Sequence, residues 1–545
     1  MIKLCTYLLL LIHVIGYAAE NHPKLIVQIV IDQLRGDLIE AHRNQFSKGG
    51  FNYMLSHSIN YNNAHHPHAN TTTCAGHAAI ATGSYPSLNG IVNNEWYDRN
   101  TKRIIYCIED LNSVIIPTNH TRYTPPGRSP RNLTTSTISD EMILAQKGKA
   151  FSVSFKDRAA ITLAGHAGKA FWFDTMNGGF VTSNFYYDQY PQWVKDWNNN
   201  YHPKDFLWTL SRDLNTYQNK GNPVITQIYP HFSQSFPHQI KQAPSQEYFV
   251  FLTRTPKADQ LTGDFAEQLL SKEQLGKSPD KTDYLAISFS AVDSIGHQFG
   301  PNSLEAEDNL LVLDKTLDHL MTIINQQVGL ENTLIILTAD HGAPDSPPYL
   351  KAHGIAEMAP MDIATATNTI HAELNKRFKL PKETLMAIAL PYVYLDHKII
   401  RDHHLELTEV NEFLAQILTN EPGVFKAYPL PSNLEKTWLS AKVTRMAYPF
   451  RAGDIYLVPP PYQARRTEND DRIEHGSPWQ YDSYVPLLFV HPRFKTQLIP
   501  REVYTTDIAT TLATLVMIKP PSGSVGNPLT EMLNGWHHLS LNEHL

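Results

Sequence analysis

Four stretches of the chain are apolar and rich in β-branched residues: LIVQIVID (25–32), DYLAISFSAVD (283–293), TLIILTAD (333–340) and VPLLFVH (485–491). A strand with one wet face alternates apolar and polar residues, whereas runs like these fit strands buried on both faces, as in a parallel sheet covered by helices. Between the second and third lies SLEAEDNLLVLDKTLDHLMTIINQQVG, with Leu310, Leu313, Leu317, Leu320 and Ile324 at helical spacing and Gly329 as a stop. Strand, helix and strand in that order predict a βαβ unit. The expected fold class is α/β, a mostly parallel sheet sandwiched by helices.

A chain of 545 residues, 42% of them hydrophobic, is long enough to bury a large core. Two regions break the pattern of core elements. The first, at about 180–280, includes YYDQYPQWVKDWNNNYHP; the second, at 342–474, includes APDSPPYLKAHG and VPPPYQARRTENDD. Both read as insertions that build a lid or rim over the carboxyl edge of the sheet. Residues 1–19 have Lys3, an apolar run from Tyr7 to Ile15 and the small residues Gly16, Ala18 and Ala19, the layout of a cleaved secretory signal. An exported protein, periplasmic or secreted, is expected, with residues 20–545 as the mature domain and no stable membrane insertion. Cys5 leaves with the signal. The remaining Cys74 and Cys107 are too few for a disulfide scaffold, and spacing alone does not decide whether they pair. The net charge of -7 argues against non-specific nucleic-acid binding but leaves room for a local cationic site.

Ligands of open α/β sheets sit at the carboxyl ends of the strands, where aspartates converge. Three of the four runs end in aspartate: Asp32 closes the first (VIDQLRGD), Asp293 the second (AVDSIGH) and Asp340 the third, with His341 directly after it (TADHG). His297 lies four residues beyond Asp293. Singly, a strand-end aspartate is often a helix cap and an Asp-His pair often ties down a loop. Together they supply oxygen and nitrogen ligands, a mixture that suits Zn2+ better than Mg2+. Two ions are compatible with the set.

A strand-end aspartate, a threonine at a helix start, Asp-x-x-x-His, Asp-His-Gly and a late His-Gly-Ser, in this order, resemble the alkaline phosphatase superfamily. The branch is that of nucleotide pyrophosphatase/phosphodiesterases and phosphate-irrepressible alkaline phosphatases. The resemblance covers most of the mature chain, implies an alkaline-phosphatase-like sheet with inserted cap segments, and implies a di-zinc site that activates a Thr or Ser nucleophile. Carried over, one zinc is held by Asp293, His297 and His475 (HGSPWQYDSYVPL), the other by Asp32, Asp340, His341 and the Thr73 oxygen. His353 in KAHG is the rival of His475 and matches the final ligand segment less well.

In TCAGHAAIATG, Thr73 fills the nucleophile's place before a helix of small residues that Gly83 stops, where free N–H groups and the helix dipole favour an oxyanion. Thr71 and Thr72 read as strand or cap residues, and His77 as a support of the helix. A sulfatase of the same superfamily has Cys-x-Pro-x-Arg; Cys74 is followed by Ala-Gly-His-Ala, so it reads as a small packed residue. His65, His66 and His68 flank a proline in a polar loop and read as solvent-facing or hydrogen-bonded rather than as a third metal site. Asn94 in GIVNNEWYD resembles the asparagine that contacts a phosphoryl oxygen, with Asn93 as its neighbour. Lys156 and Arg158, in SVSFKDRAAI, alternate after a β-like run and read as projecting from one strand end. In the resembled monoesterases a Lys-x-Arg pair here contacts a dianionic phosphate.

The resemblance thus implies an exported di-zinc alkaline phosphatase acting on small phosphate monoesters through a phospho-threonine intermediate. A monomer that binds no nucleic acid is expected. A phosphodiesterase or nucleotide pyrophosphatase, and a catalytically silent binding protein of the same fold, are the alternatives.

Overall fold

A computed structural model describes residues 22–541 except 123–125, 224, 226–232, 234, 357, 431–436 and 464–472. The signal segment 1–19 and part of VPPPYQARRTENDD lie outside the described residues. The elements that place the site are β1 (Leu25–Ile31), β2 (Ser58–Tyr61), α1 (Thr73–Thr82), β3 (Ala150–Ser154), α2 (Asp157–Ala164), β4 (Lys169–Phe173) and β5 (Phe180–Val181), followed by α3 (Pro256–Lys272), β6 (Asp283–Phe289), α4 (Ala291–Phe299), α5 (Leu304–Gln327), β7 (Thr333–Thr338), β8 (Leu487–Val490) and β9 (Gln497–Ile499).

All seven residues of β1 are buried, and the pleat divides them between two cores. Leu25, Val27, Ile29 and Ile31 pack with Leu285, Leu310 and Leu317; Ile26 and Val30 pack on the other side with Ile80, Leu163 and Leu512. Both faces are dry, which is why the run shows no polar alternation. Each buried aliphatic side chain contributes roughly 1.5–3 kcal/mol. The one polar member, Gln28, is accommodated because the Tyr284 hydroxyl donates to its Oε1 at 2.9 Å.

The sheet has nine strands in the order β9-β2-β8-β7-β1-β6-β3-β4-β5. Its centre, β7-β1-β6-β3-β4, is parallel throughout. The βαβ reading of 283–338 holds: α5 is capped by Ser303, whose hydroxyl accepts the Ala306 N–H at 3.0 Å, ends before Gly329, and carries the chain from β6 across β1 to β7. VPLLFVH departs from expectation. Its strand β8 is antiparallel to both β7 and β2; an apolar run reports burial on two faces and carries no information about direction.

Between β7 and β8, residues 385–389, 392–395, 426–429 and 455–458 form a separate four-stranded sheet. It packs on its own core, including Ile370, Leu395, Leu414 and Ile455. Helix α3 instead packs on the main sheet through Leu261, Phe265 and Leu269. No helix among the described residues is long and apolar enough to cross a membrane.

Candidate active site

Asp32 follows β1 and Asp340 lies two residues beyond β7, at the carboxyl edge of the sheet. Asp293 is not at a strand end, as the sequence suggested. Strand β6 stops at Phe289, and Asp293 sits in the first turn of α4 with His297 one turn further on the same face. Lys156 and Arg158 are likewise at a helix start rather than on a strand: Lys156 is the N-cap residue of α2 and Arg158 lies in its first turn. Small and apolar residues continue across each boundary (Ser288 to Val292 and Ser152 to Phe155), so periodicity does not mark where strand gives way to helix.

Three carboxylates, Asp32, Asp293 and Asp340, converge while at most 3% exposed. One ammonium serves them: Lys156 Nζ donates to Asp32 Oδ2 at 2.7 Å and to Asp293 Oδ2. Burial pushes the Asp32 carboxyl well above the ordinary carboxylate range, and the charges of Asp293 and Asp340 push it further. Burial opposes ionisation of Asp293 and Asp340 too, but His297 and Lys156 hold the first well below the ordinary range, and His341 and His77 hold the second below it.

Three histidines face this cluster in one manner. His341 Nδ1 donates to the Gly342 carbonyl at 2.9 Å, His475 Nδ1 to the Thr71 carbonyl at 2.8 Å, and His297 Nδ1 to the Ile473 carbonyl. Each bond fixes the ring and leaves Nε2 toward the carboxylates. His341 Nε2 lies 3.4 Å from Asp32 Oδ1 and 3.3 Å from Asp340 Oδ2, and neither His341 Nε2 nor Asp32 Oδ1, both buried, has a hydrogen-bond partner among the described residues. Two carboxylate oxygens and a ring lone pair facing one another repel unless a cation lies among them. His475 and His297 approach Asp293 Oδ1 at 3.4 and 3.1 Å. Burial lowers the basicity of His297, but the Asp293 charge outweighs it and raises the pKa to about 9, so a positive charge is favoured beside Asp293.

Two groups of ligand atoms could therefore hold a metal ion, Asp293 with His341 and His475, and Asp32 with Asp340 and His341. His341 belongs to both and its ring stacks on His475, with centroids 3.5 Å apart. His297 stands next to the first group on Asp293. His353 is exposed, packs on Tyr349, and is in neither group.

Thr73 is the first residue of α1 and is 1% exposed; Thr72 is the N-cap residue. Gly76 lets the helix approach this closely, since a Cβ there would stand 2.0 Å from the Asp340 carbonyl oxygen. His77, a support as expected, lies with Nδ1 2.9 Å from the Thr73 carbonyl oxygen and 3.1 Å from Asp340 Oδ2, and with Nε2 2.9 Å from Ser288 Oγ. Asn94 Oδ1 accepts the Cys74 N–H at 2.8 Å, which leaves its NH2 group free to donate beside Thr73. Asn93 is engaged elsewhere, donating to the Leu390 carbonyl. Arg158 Nη2 is 3.4 Å from Thr73 Oγ1, and its buried Nε has no hydrogen-bond partner among the described residues.

Cys74 is buried, but it is not merely a packed residue: it is disulfide-bonded to Cys107. The bridge ties the start of α1 to the segment where Cys107 N–H donates to the Asn94 carbonyl at 2.8 Å, so one covalent link holds Thr73 and Asn94 in register. The loop 65–68 is drier than its composition suggested. His66 and His68 are fully buried; His66 lies 3.0 Å from both the Ala339 carbonyl oxygen and Thr505 Oγ1, whereas neither ring nitrogen of His68 has a hydrogen-bond partner among the described residues. His65 is partly buried, with Nε2 2.9 Å from Asn63 Oδ1.

Several site residues escaped sequence reasoning. Gln33, with φ of 69°, donates its backbone N–H to Asp340 and its Nε2 to Asp293 at 2.9 Å, bracing both carboxylates from a left-handed conformation. Tyr106, Asp157 and Arg128 form a chain behind Arg158: the Tyr106 hydroxyl donates to Asp157 Oδ1 at 2.7 Å, Arg128 Nε to Asp157 Oδ2 at 2.9 Å, and Arg158 Nη1 to the Tyr106 hydroxyl at 3.4 Å. No spacing or composition distinguishes these residues from ordinary polar ones. Only the proximity of Gln33 to Asp32 and of Asp157 to the Lys-x-Arg pair was available as a signal.

Residues 26–478 match the family described as type I phosphodiesterase / nucleotide pyrophosphatase. The chain is 32% identical over 541 residues to alkaline phosphatase PafA of Elizabethkingia meningoseptica, covering 94% of this chain and 95% of that one. It is 32% identical over 531 residues to alkaline phosphatase PhoV of Synechococcus elongatus, covering 94% and 93%. The crystal structure of wild-type PafA matches the fold with a TM-score of 0.83 at 31% identity, over 94% of this chain and 99% of that one. A further crystal structure is of a PafA variant with a threonine, an asparagine, a lysine and an arginine replaced. Their order and sequence intervals are those of Thr73, Asn94, Lys156 and Arg158 here.

Proposed function

We propose, from the premise that this chain belongs to the type I phosphodiesterase / nucleotide pyrophosphatase family of the alkaline phosphatase superfamily, that it is an exported, zinc-dependent alkaline phosphatase. It hydrolyses phosphate monoesters through a phospho-threonine intermediate. The observation that carries the monoesterase reading is Arg158: its Nη2 lies 3.4 Å from the Thr73 hydroxyl, and its buried Nε, on the same edge of the guanidinium, has no hydrogen-bond partner among the described residues. A fork of this kind suits two terminal oxygens of a phosphoryl group.

Thr73 Oγ attacks phosphorus, forming the Thr–O–P bond as the bond to the alcohol oxygen breaks. Its place at the start of α1 puts it at the positive end of the helix dipole. Arg158 and the Asn94 NH2 take the non-bridging oxygens, and Lys156 supplies a further positive charge beside Asp32 and Asp293. Zinc at the two ligand groups would supply Lewis acidity, lowering hydroxyl pKa values and stabilising the departing oxygen. Water then attacks the phospho-threonine, the Thr–O–P bond breaks, and phosphate leaves.

Mixed nitrogen and oxygen ligands support zinc over magnesium. The disulfide and the signal-like residues 1–19 support export to an oxidising compartment, and the reading is of a monomer acting on small phosphate esters. The family's description keeps a diesterase as the second reading. Turnover of p-nitrophenyl phosphate and bis-(p-nitrophenyl) phosphate by zinc-loaded protein, with metal analysis, separates the two. A monoester preference lost on chelation is expected. A diester preference would overturn the monoesterase reading, and no turnover of either would point to a silent relative.

A further inference from the structure

The carboxyl edge of the sheet does not end at the three carboxylates. Past β6 it continues over the ends of β3 and β4, where a cavity of about 260 Å3 lies among Phe155, Trp172, Phe173 and Met176. Lys156 and Arg158 line it too, so it shares a wall with the Thr73 site. Phe155 and Phe173 are stacked with centroids 4.2 Å apart and are buried along with Trp172, which makes that side rigid and apolar.

Two charged groups of the lining are already engaged. Asp174 accepts the Met176 N–H at 2.9 Å and Asn177 Nδ2 at 2.7 Å. Arg128 is bound to Asp157 and to the carbonyls of Pro126 and Gly127. Of the three cations in the lining, Lys156 is held by Asp32 and Asp293 and Arg128 by Asp157, which leaves Arg158 for the phosphoryl group. A second phosphate or a carboxylate would find no unpaired cation there to replace its water; an uncharged ring would meet aromatic side chains.

We propose that this cavity receives the alcohol portion of the substrate and selects uncharged, ring-bearing alcohols over small aliphatic or anionic ones. The inference rests on the phosphatase reading, because a substrate anchored by its phosphoryl group at Arg158 has this cavity as the adjoining enclosed space.

The test compares benzyl phosphate, ethyl phosphate and 2-carboxyethyl phosphate on zinc-loaded protein; the first two leaving alcohols differ little in basicity. Benzyl phosphate should exceed ethyl phosphate in kcat/KM by roughly ten- to a hundredfold, and the carboxylate-bearing ester should fall below ethyl phosphate. Thr175, partly buried in the cavity wall, is the position for a filling variant. Thr175→Trp should reduce the benzyl-to-ethyl ratio to within about threefold of unity. Inhibition constants for benzylphosphonate and methylphosphonate, or their direct binding, should show the same preference without turnover. Equal treatment of both esters and both phosphonates, unchanged by Thr175→Trp, would overturn the cavity assignment. No turnover of any ester, with the phosphonate preference intact and sensitive to Thr175→Trp, would sink the phosphatase reading and support the cavity.

Discussion

Arg158→Ala gives the sharpest measure of which ester the site is built for. In the wild type, Nη2 approaches Thr73, the buried Nε on the same edge has no hydrogen-bond partner among the described residues, and Nη1 donates to the Tyr106 hydroxyl. On a monoester both N–H groups find terminal oxygens. A charge-assisted hydrogen bond contributes about 1.5–3 kcal/mol, so truncation removes ~3–6 kcal/mol of transition-state stabilisation. At about 1.4 kcal/mol per factor of ten, kcat/KM for a monoester should fall by roughly 10^2 to 10^4. A diester keeps two terminal oxygens instead of three; with one of them drawn to the metal ions, only one is left for Arg158, and the loss should be roughly 10 to 10^2. The assay is kcat/KM on p-nitrophenyl phosphate and bis-(p-nitrophenyl) phosphate, with circular dichroism and zinc content showing that the variant is folded and loaded. Arg158→Lys should recover little, since an ammonium cannot reproduce the fork. Equal losses on the two substrates would refute the reasoning and leave Arg158 as a residue that merely orders Tyr106 and Asp157.

Thr73→Ala should abolish most turnover while zinc content measured by elemental analysis stays near the wild-type value, because the Asp and His ligand atoms remain; retained turnover would exclude Thr73 as the nucleophile. His475→Ala should lower zinc affinity and activity far more than His353→Ala, given that His475 lies 3.4 Å from Asp293 and His353 is exposed; the reverse order would mean that the ligand is misassigned. Replacing both Cys74 and Cys107 with alanine opens a loop of sequence separation 33 and should cost about 3–4 kcal/mol in denaturant-midpoint measurements, with substantial activity below the transition. Inactivity of that folded, metal-loaded variant would show that the bridge positions Thr73 and does not only stabilise. A chelator should lower the melting temperature as well as remove activity, since three buried carboxylates then converge with one ammonium, Lys156, bonded to two of them.

Much of the fold was legible because burial on both faces leaves a direct mark on composition. The runs at 25–32, 283–293 and 333–340 marked strands of a covered sheet, though the last residues of the second are helical, and the leucine spacing of 304–327 marked the helix joining two of them. The candidate ligands were legible for a related reason: aspartate and histidine beside such runs are too costly to leave in a dry sheet without a partner, so their presence at the carboxyl ends marks a site. Direction and boundary left no such mark, hence the antiparallel β8 and the helical positions of Asp293, Lys156 and Arg158. Pairing in space left none either. Whether Cys74 meets Cys107, that Lys156 bridges Asp32 and Asp293, that His341 faces both ligand groups, and that Gln33 reaches Asp340 across 307 positions of sequence depend on how separate elements pack. Local sequence fixes the periodicity that puts a residue on a face or at an end; which distant group it then meets is a property of the tertiary structure alone, because each such contact is stabilised by its surroundings and not by its neighbours in the chain.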